Sequence, residues 1–105
     1  IFIIILIFHD RYNILIFMII NISNLKKKII YRSNYRGTKE MDKLLSSFTQ
    51  RYINELNDSE LSDLCELLDL DDESLYNFNQ DKKISKSIKT NKVTDLFKKF
   101  EYKSK

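Results

Sequence analysis

Hydrophobic positions follow two different patterns along this chain. Over residues 1–24 they form continuous runs, Ile1 to Phe8 and Ile14 to Ile20, separated by His9, Asp10, Arg11, Tyr12 and Asn13. From Leu25 onward they recur at the three- and four-residue steps of a helix with one face turned inward. The clearest series is Met41, Leu44, Leu45, Phe48, Tyr52, Ile53 and Leu56. It predicts a core helix, with Glu40 and Asp42 in the first turn, where negative charge suits the positive end of the helix dipole.

The same spacing predicts four further helices. A first, over Leu25 to Tyr35, turns Leu25, Ile29, Ile30 and Tyr31 inward and its basic residues outward, and ends at Arg36-Gly37, because glycine takes up a positive φ at little steric cost. A third starts at Asn57, with Glu60 three positions later in a capping-box arrangement, and buries Leu61, Leu64, Cys65 and Leu68. Asp71 or Asp72 caps a short fourth helix carrying Leu75, Tyr76 and Phe78. Asn79 to Thr90 reads as a connector, and a last helix from Asn91 places Val93, Leu96, Phe97 and Phe100 inward. The expected fold is all-α, a compact bundle of about five short helices.

Composition agrees with this pattern. With no proline and a single glycine, Gly37, the chain lacks the turn signals of sheet-rich folds. Its 105 residues make one domain, of a size that buries about two thirds of the unfolded surface. The reading divides it into a hydrophobic N-terminal extension, 1–24, and a helical domain, 25–105.

The extension fits no standard targeting or spanning signal. A membrane span needs about 20 mostly apolar residues, and neither run reaches that length alone. A basic start with a small-residue cleavage site, or an Arg- and Ser-rich presequence, is also missing. The segment is either an upstream extension outside the mature protein or a hydrophobic anchor, and membrane contact is expected only in the second case.

Net charge is +3, but it is segregated. Five basic residues and no acidic one lie between Lys26 and Arg36, nine acidic and no basic between Asn54 and Gln80, and lysines dominate from Lys82. Either the helix faces neutralise one another across the bundle, or one of them recognises a partner. Catalysis has little to work with. The only histidine, His9, lies in the extension, the only cysteine, Cys65, reads as a small core residue with no base beside it, and one glycine cannot build a phosphate loop. An enzyme is not expected.

At Tyr31-Arg32-Ser33-Asn34-Tyr35-Arg36-Gly37-Thr38-Lys39-Glu40-Met41-Asp42 the chain resembles the succinate dehydrogenase assembly factor 2 family, the flavinylation factors, whose signature is Arg-Gly-x-x-Glu. Leu44-Leu45, Phe48, Asn57 to Leu61, Leu67-Leu68 and Asp71 to Tyr76 follow in the family's order, so the resemblance covers residues 29 to 100. It departs at Phe78, where many members carry tryptophan, and at Glu73, where a proline often follows the acidic pair. The resemblance implies a non-enzymatic factor that binds the flavoprotein subunit of succinate dehydrogenase, with the fumarate reductase flavoprotein as a second candidate. Such a factor promotes covalent attachment of FAD to its partner and binds no cofactor stably itself.

On this reading Gly37 sets the turn between the first two helices, and Arg36 and Glu40 flank it as partner-binding residues, with Arg32, Lys39 and Asp42 as weaker candidates. Arg36 and Glu40 are suited to carboxylate or backbone recognition, or else they pair with each other and merely fix the turn. The expected location is the bacterial cytoplasm, or the mitochondrial matrix in a eukaryote. The competing function is a small basic helical nucleic-acid-binding module using the first and last helices, against which the acidic third helix argues.

Overall fold

The computed structural model describes residues 2–81 and 88–102, and for residues 2–12 and 81 the backbone alone. Among the described residues there are five α-helices and no strand: α1 (Phe2–Asn34), α2 (Lys39–Tyr52), α3 (Asp58–Leu68), α4 (Asp72–Asp81) and α5 (Lys92–Lys99). The all-α expectation holds. Ile1 and residues 82–87 of the expected connector lie outside what is described, as do the side chains of His9 and of the run up to Phe8.

The first helix is far longer than its sequence period implied. It does not begin at Leu25; it runs continuously from Phe2 for 33 residues, about 50 Å at 1.5 Å per residue. From Asn13 on, where its side chains are described, only its C-terminal turns join the bundle. Ile22 and Leu25 pack against the core from its edge, and Ile29 and Ser33 are fully buried, at the three- and four-residue steps of one stripe. Ile30 and Tyr31, expected inside, are exposed, since with Ile29 and Ser33 fixed inward they fall one and two positions, 100° and 200°, round the helix. The buried Ser33 hydroxyl is satisfied within the helix, donating to the Ile29 carbonyl at 2.6 Å.

The second helix follows its pattern closely. Met41, Leu44, Leu45 and Phe48 are buried along it, and Ile53 and Leu56 continue the buried series past its end. Its start is set by Thr38, in extended conformation, whose Oγ1 accepts from the Met41 N–H at 3.3 Å. The capping box at α3 is complete: Asn57 Oδ1 accepts from Glu60 N–H at 2.8 Å and Glu60 Oε1 from Asn57 N–H at 3.0 Å. Of the expected α3 stripe Leu61, Leu64 and Leu68 are buried and Leu67 joins them, while Cys65 sits half-buried at the edge.

Asp71 settles the start of α4, its carboxylate accepting from the Ser74 hydroxyl at 2.7 Å and the Ser74 N–H at 3.2 Å. Leu75 and Phe78 point inward and Tyr76 outward. Here the connector boundary is corrected, because α4 continues through Asn79 to Asp81. Asn79 is buried, and its side-chain amide donates to the carbonyls of Phe97 at 2.8 Å and Phe100 at 2.9 Å. A polar side chain that reads as loop is thus the link between α4 and the end of α5. The last carbonyls of a helix lack the usual i+4 donor; that of Phe97 takes the Phe100 N–H at 3.2 Å, and the Asn79 amide adds a second donor there and serves Phe100 beyond it.

Helix α5 opens on a second capping box, between Asn91 and Thr94. Val93 and Phe97 are buried, with Leu96 and Phe100 at the core edge. The aromatic centre joins three helices. Phe48 meets Phe97 edge-on with centroids 5.1 Å apart, and Phe78 stacks on Phe97 at 6.3 Å and 19°. Phenylalanine at 78 therefore fills an aromatic position.

Candidate functional site

The turn between α1 and α2, residues 35–38, is organised by its second residue, Arg36. The Arg36 N–H donates to Asp42 Oδ1 at 2.6 Å, so a carboxylate in the first turn of α2 holds the loop that leads into it. The Arg36 side chain then turns away from solvent. Its Nε donates to Asp72 Oδ1 at 2.9 Å, Nη1 to the Leu68 carbonyl at 2.8 Å and Nη2 to the Leu70 carbonyl at 2.8 Å. With 11% of the side chain exposed, the guanidinium serves as the C-terminal cap of α3 and as the counter-ion of the first turn of α4.

The physical sense is direct. The C-terminal carbonyls of α3 carry partial negative charge and have no intrahelical donors, and a planar cation with a fixed fork of N–H groups satisfies both needs. Arg32, one turn earlier on α1, repeats the arrangement. It pairs with Asp69, the C-cap residue of α3, and its Nη1 lies 4.0 Å from Cys65 Sγ. Two arginines spaced i, i+4 thus reach the same helix end.

Gly37 has φ +111°, a backbone state that L side chains rarely adopt. A Cβ there would meet nothing within 4 Å, so conformation, and not space, requires the glycine. It lies in the loop and is not the residue that closes α1, which ends at Asn34. Lys39 and Glu40 point outward beside it, and neither has an ion-pair partner among the described residues. Arg36 and Glu40 do not pair with each other.

The six candidates therefore divide. Arg32, Arg36 and Asp42 bind other parts of the same chain, and Gly37, Lys39 and Glu40 are presented to solvent. Glu40 also borders an open cleft of about 290 Å³ lined by Lys43, Leu44, Tyr76, Gln80 and Tyr102. Tyr102 was not visible as part of this surface, because nothing in its neighbourhood repeats or signals a site. Thr38 had a legible signal, a hydroxyl residue directly before an acidic first helical turn.

Charge segregation resolves within the fold. Arg32–Asp69, Arg36–Asp72, Lys89–Glu66 and Lys92–Glu60 each join a basic segment to the acidic α3–α4 region. Glu60 is held below the usual carboxylate range, first by the Asn57 N–H and further by Lys92. Asp71 is lowered by the Ser74 hydroxyl and N–H.

A family model described as flavinator of succinate dehydrogenase matches residues 27–101. The chain belongs to this family. Curated relatives named succinate dehydrogenase assembly factor 2, mitochondrial, include that of Scheffersomyces stipitis, 41% identical over 51 residues, 49% of this chain and 34% of the relative. That of Meyerozyma guilliermondii is 39% identical over 51 residues, 49% and 38% of the two chains, and that of Dictyostelium discoideum 40% over 57 residues, 54% and 40%. The chain thus covers well under half the length of these relatives. No solved structure matches it significantly. The family match begins within α1 and takes in all of α2 to α5 together with the Arg36 to Glu40 turn.

Proposed function

We propose that this chain binds the flavoprotein subunit of succinate dehydrogenase and promotes covalent attachment of FAD to it, without being the catalyst of the bond itself. What supports the reading is family membership, together with a signature segment whose acidic residue, Glu40, is left outward-facing on a turn that Arg36 holds rigid. The docking surface on this reading is Gly37, Lys39 and Glu40 with the adjoining cleft. Arg36, Arg32 and Asp42 keep that surface in shape through bonds to α2, α3 and α4. FAD belongs to the partner, and the factor works by holding the partner in a conformation competent for flavin attachment. The fumarate reductase flavoprotein is the second candidate partner.

The mitochondrial names of the relatives favour the matrix over the bacterial cytoplasm as the setting. Nucleic acid is a poorer partner, since arginines in the first basic segment are already paired with acidic side chains of the same chain.

The test is co-expression of the chain with a succinate dehydrogenase flavoprotein in cells lacking their own factor, scoring co-purification and protein-bound flavin fluorescence together. The wild-type chain raises both and Glu40→Ala lowers both. Equal flavin attachment with and without the chain overturns the proposal.

A further inference from the structure

Residues Ile14 to Ile20 of α1 are all apolar and all exposed, between 37% and 65%. At 3.6 residues per turn, seven consecutive residues go almost twice round the helix axis, so the exposure is not a stripe. The bundle does not reach them, for among the residues of α1 with described side chains the first packed against the core are Ile22 and Leu25. A helix that is apolar all round belongs in an apolar surrounding. A second copy packs along one face of such a helix and leaves the opposite face wet, whereas the fluid acyl chains of a bilayer leaflet close around every side of a segment that dips among them.

Charge beside the segment indicates which bilayer. About two turns further on stand Lys26, Lys27 and Lys28, in a stretch with no acidic residue, and none of the three is ion-paired among the described residues. A basic cluster immediately after an apolar segment matches anionic headgroups. Among the described residues no helix is long and apolar enough to cross a membrane, and the sequence puts His9, Asp10, Arg11 and Asn13 directly before the segment. Those polar groups limit the depth of insertion.

We infer that the Ile14 to Ile20 segment of α1, with the Lys26 to Lys28 cluster beside it, attaches this protein to the surface of an anionic phospholipid bilayer. The segment dips into one leaflet without spanning the bilayer, and the bundle and the Arg36 to Glu40 turn stay on the aqueous side.

The experiment is flotation of the full chain with vesicles of phosphatidylcholine, with and without an anionic fraction of phosphatidylglycerol. The chain floats with the anionic vesicles and is released by added salt. Phe17→Asp with Ile20→Asp abolishes flotation while the circular dichroism of the bundle is unchanged, since neither residue touches the core. Neutralising Lys26, Lys27 and Lys28 to glutamine weakens partition by roughly a hundredfold, at about fivefold per lysine. Equal binding to both vesicle types, no binding to either, or a sedimentation-defined dimer that Phe17→Asp with Ile20→Asp dissolves would each overturn the inference.

Discussion

Arg36 and Asp72, thirty-six positions apart in the chain, meet through a 2.9 Å Nε–carboxylate bond while the same guanidinium caps α3 at the Leu68 and Leu70 carbonyls. Arg36 is thus a clamp between the α1–α2 turn and the α3–α4 turn. Removing it strands two carbonyls and a partly buried carboxylate. Arg36→Ala is expected to lower stability by about 2–4 kcal/mol, because charged hydrogen bonds are lost from groups that remain buried. Arg36→Lys recovers only part of this, one ammonium being unable to reproduce the fork. Urea unfolding of the two variants beside the wild type measures both, and an Arg36→Ala midpoint equal to wild type would exclude the clamp.

Glu40 should behave in the opposite way. It is exposed and bonded to no other described side chain, so Glu40→Ala is expected to change stability by no more than about 0.5 kcal/mol. On the proposed function, its effect is expected to fall on partner binding and flavin attachment. Comparing the two variants separates scaffold from surface: Arg36→Ala loses activity in step with folding, and Glu40→Ala loses it while still folded.

Gly37→Ala places a Cβ in open space but at φ +111°. The expected cost is about 1–2 kcal/mol from backbone conformation alone. Gly37→Asn costs less, asparagine being the residue that best tolerates positive φ after glycine. If thermal melts rank alanine as stable as glycine, the turn has another conformation in solution.

Asn79→Leu keeps the volume and removes the amide that serves the carbonyls of Phe97 and Phe100. A loss of about 1–3 kcal/mol is expected for removing two hydrogen bonds, since the Phe100 carbonyl loses the amide donor and the Phe97 carbonyl keeps only the Phe100 N–H. Hydrogen exchange should report it locally, as faster exchange of the α5 amides with little change in α2.

Two carboxylates carry a pH dependence of known sign. Glu60 and Asp71 are held below their ordinary values of 4.5 and 3.8 by bonds made only in the folded chain. The stability they add is therefore present above those values and is lost as pH falls through the folded-state pKa of each. Titrating thermal stability downward from pH 6 should show the loss, and Glu60→Gln should flatten its Glu60 part. A rise in stability over that range contradicts the assignment.

Much of the fold was legible because its signals are local. Helix periods are read over three or four residues, and the Asn57–Glu60 and Asn91–Thr94 boxes close within three. The same locality explains the errors. Ile30 and Tyr31 share the apolar character of Ile29, and only the orientation of α1 on the bundle decides which of them is buried. Asn79 looks like a connector residue until α5 is placed beside it.

The sequence by itself determined an all-helical chain, the order of α2 to α5, the need for glycine at the first turn, and membership of a family whose match spans residues 27–101. Only the tertiary structure decided that Arg36 faces inward and Glu40 outward. Both are charged residues flanking one turn, and nothing within four positions distinguishes them. The difference comes from the unpaired carbonyls at the end of α3 and the carboxylate at the start of α4, which folding brings within hydrogen-bond reach of one residue and not the other.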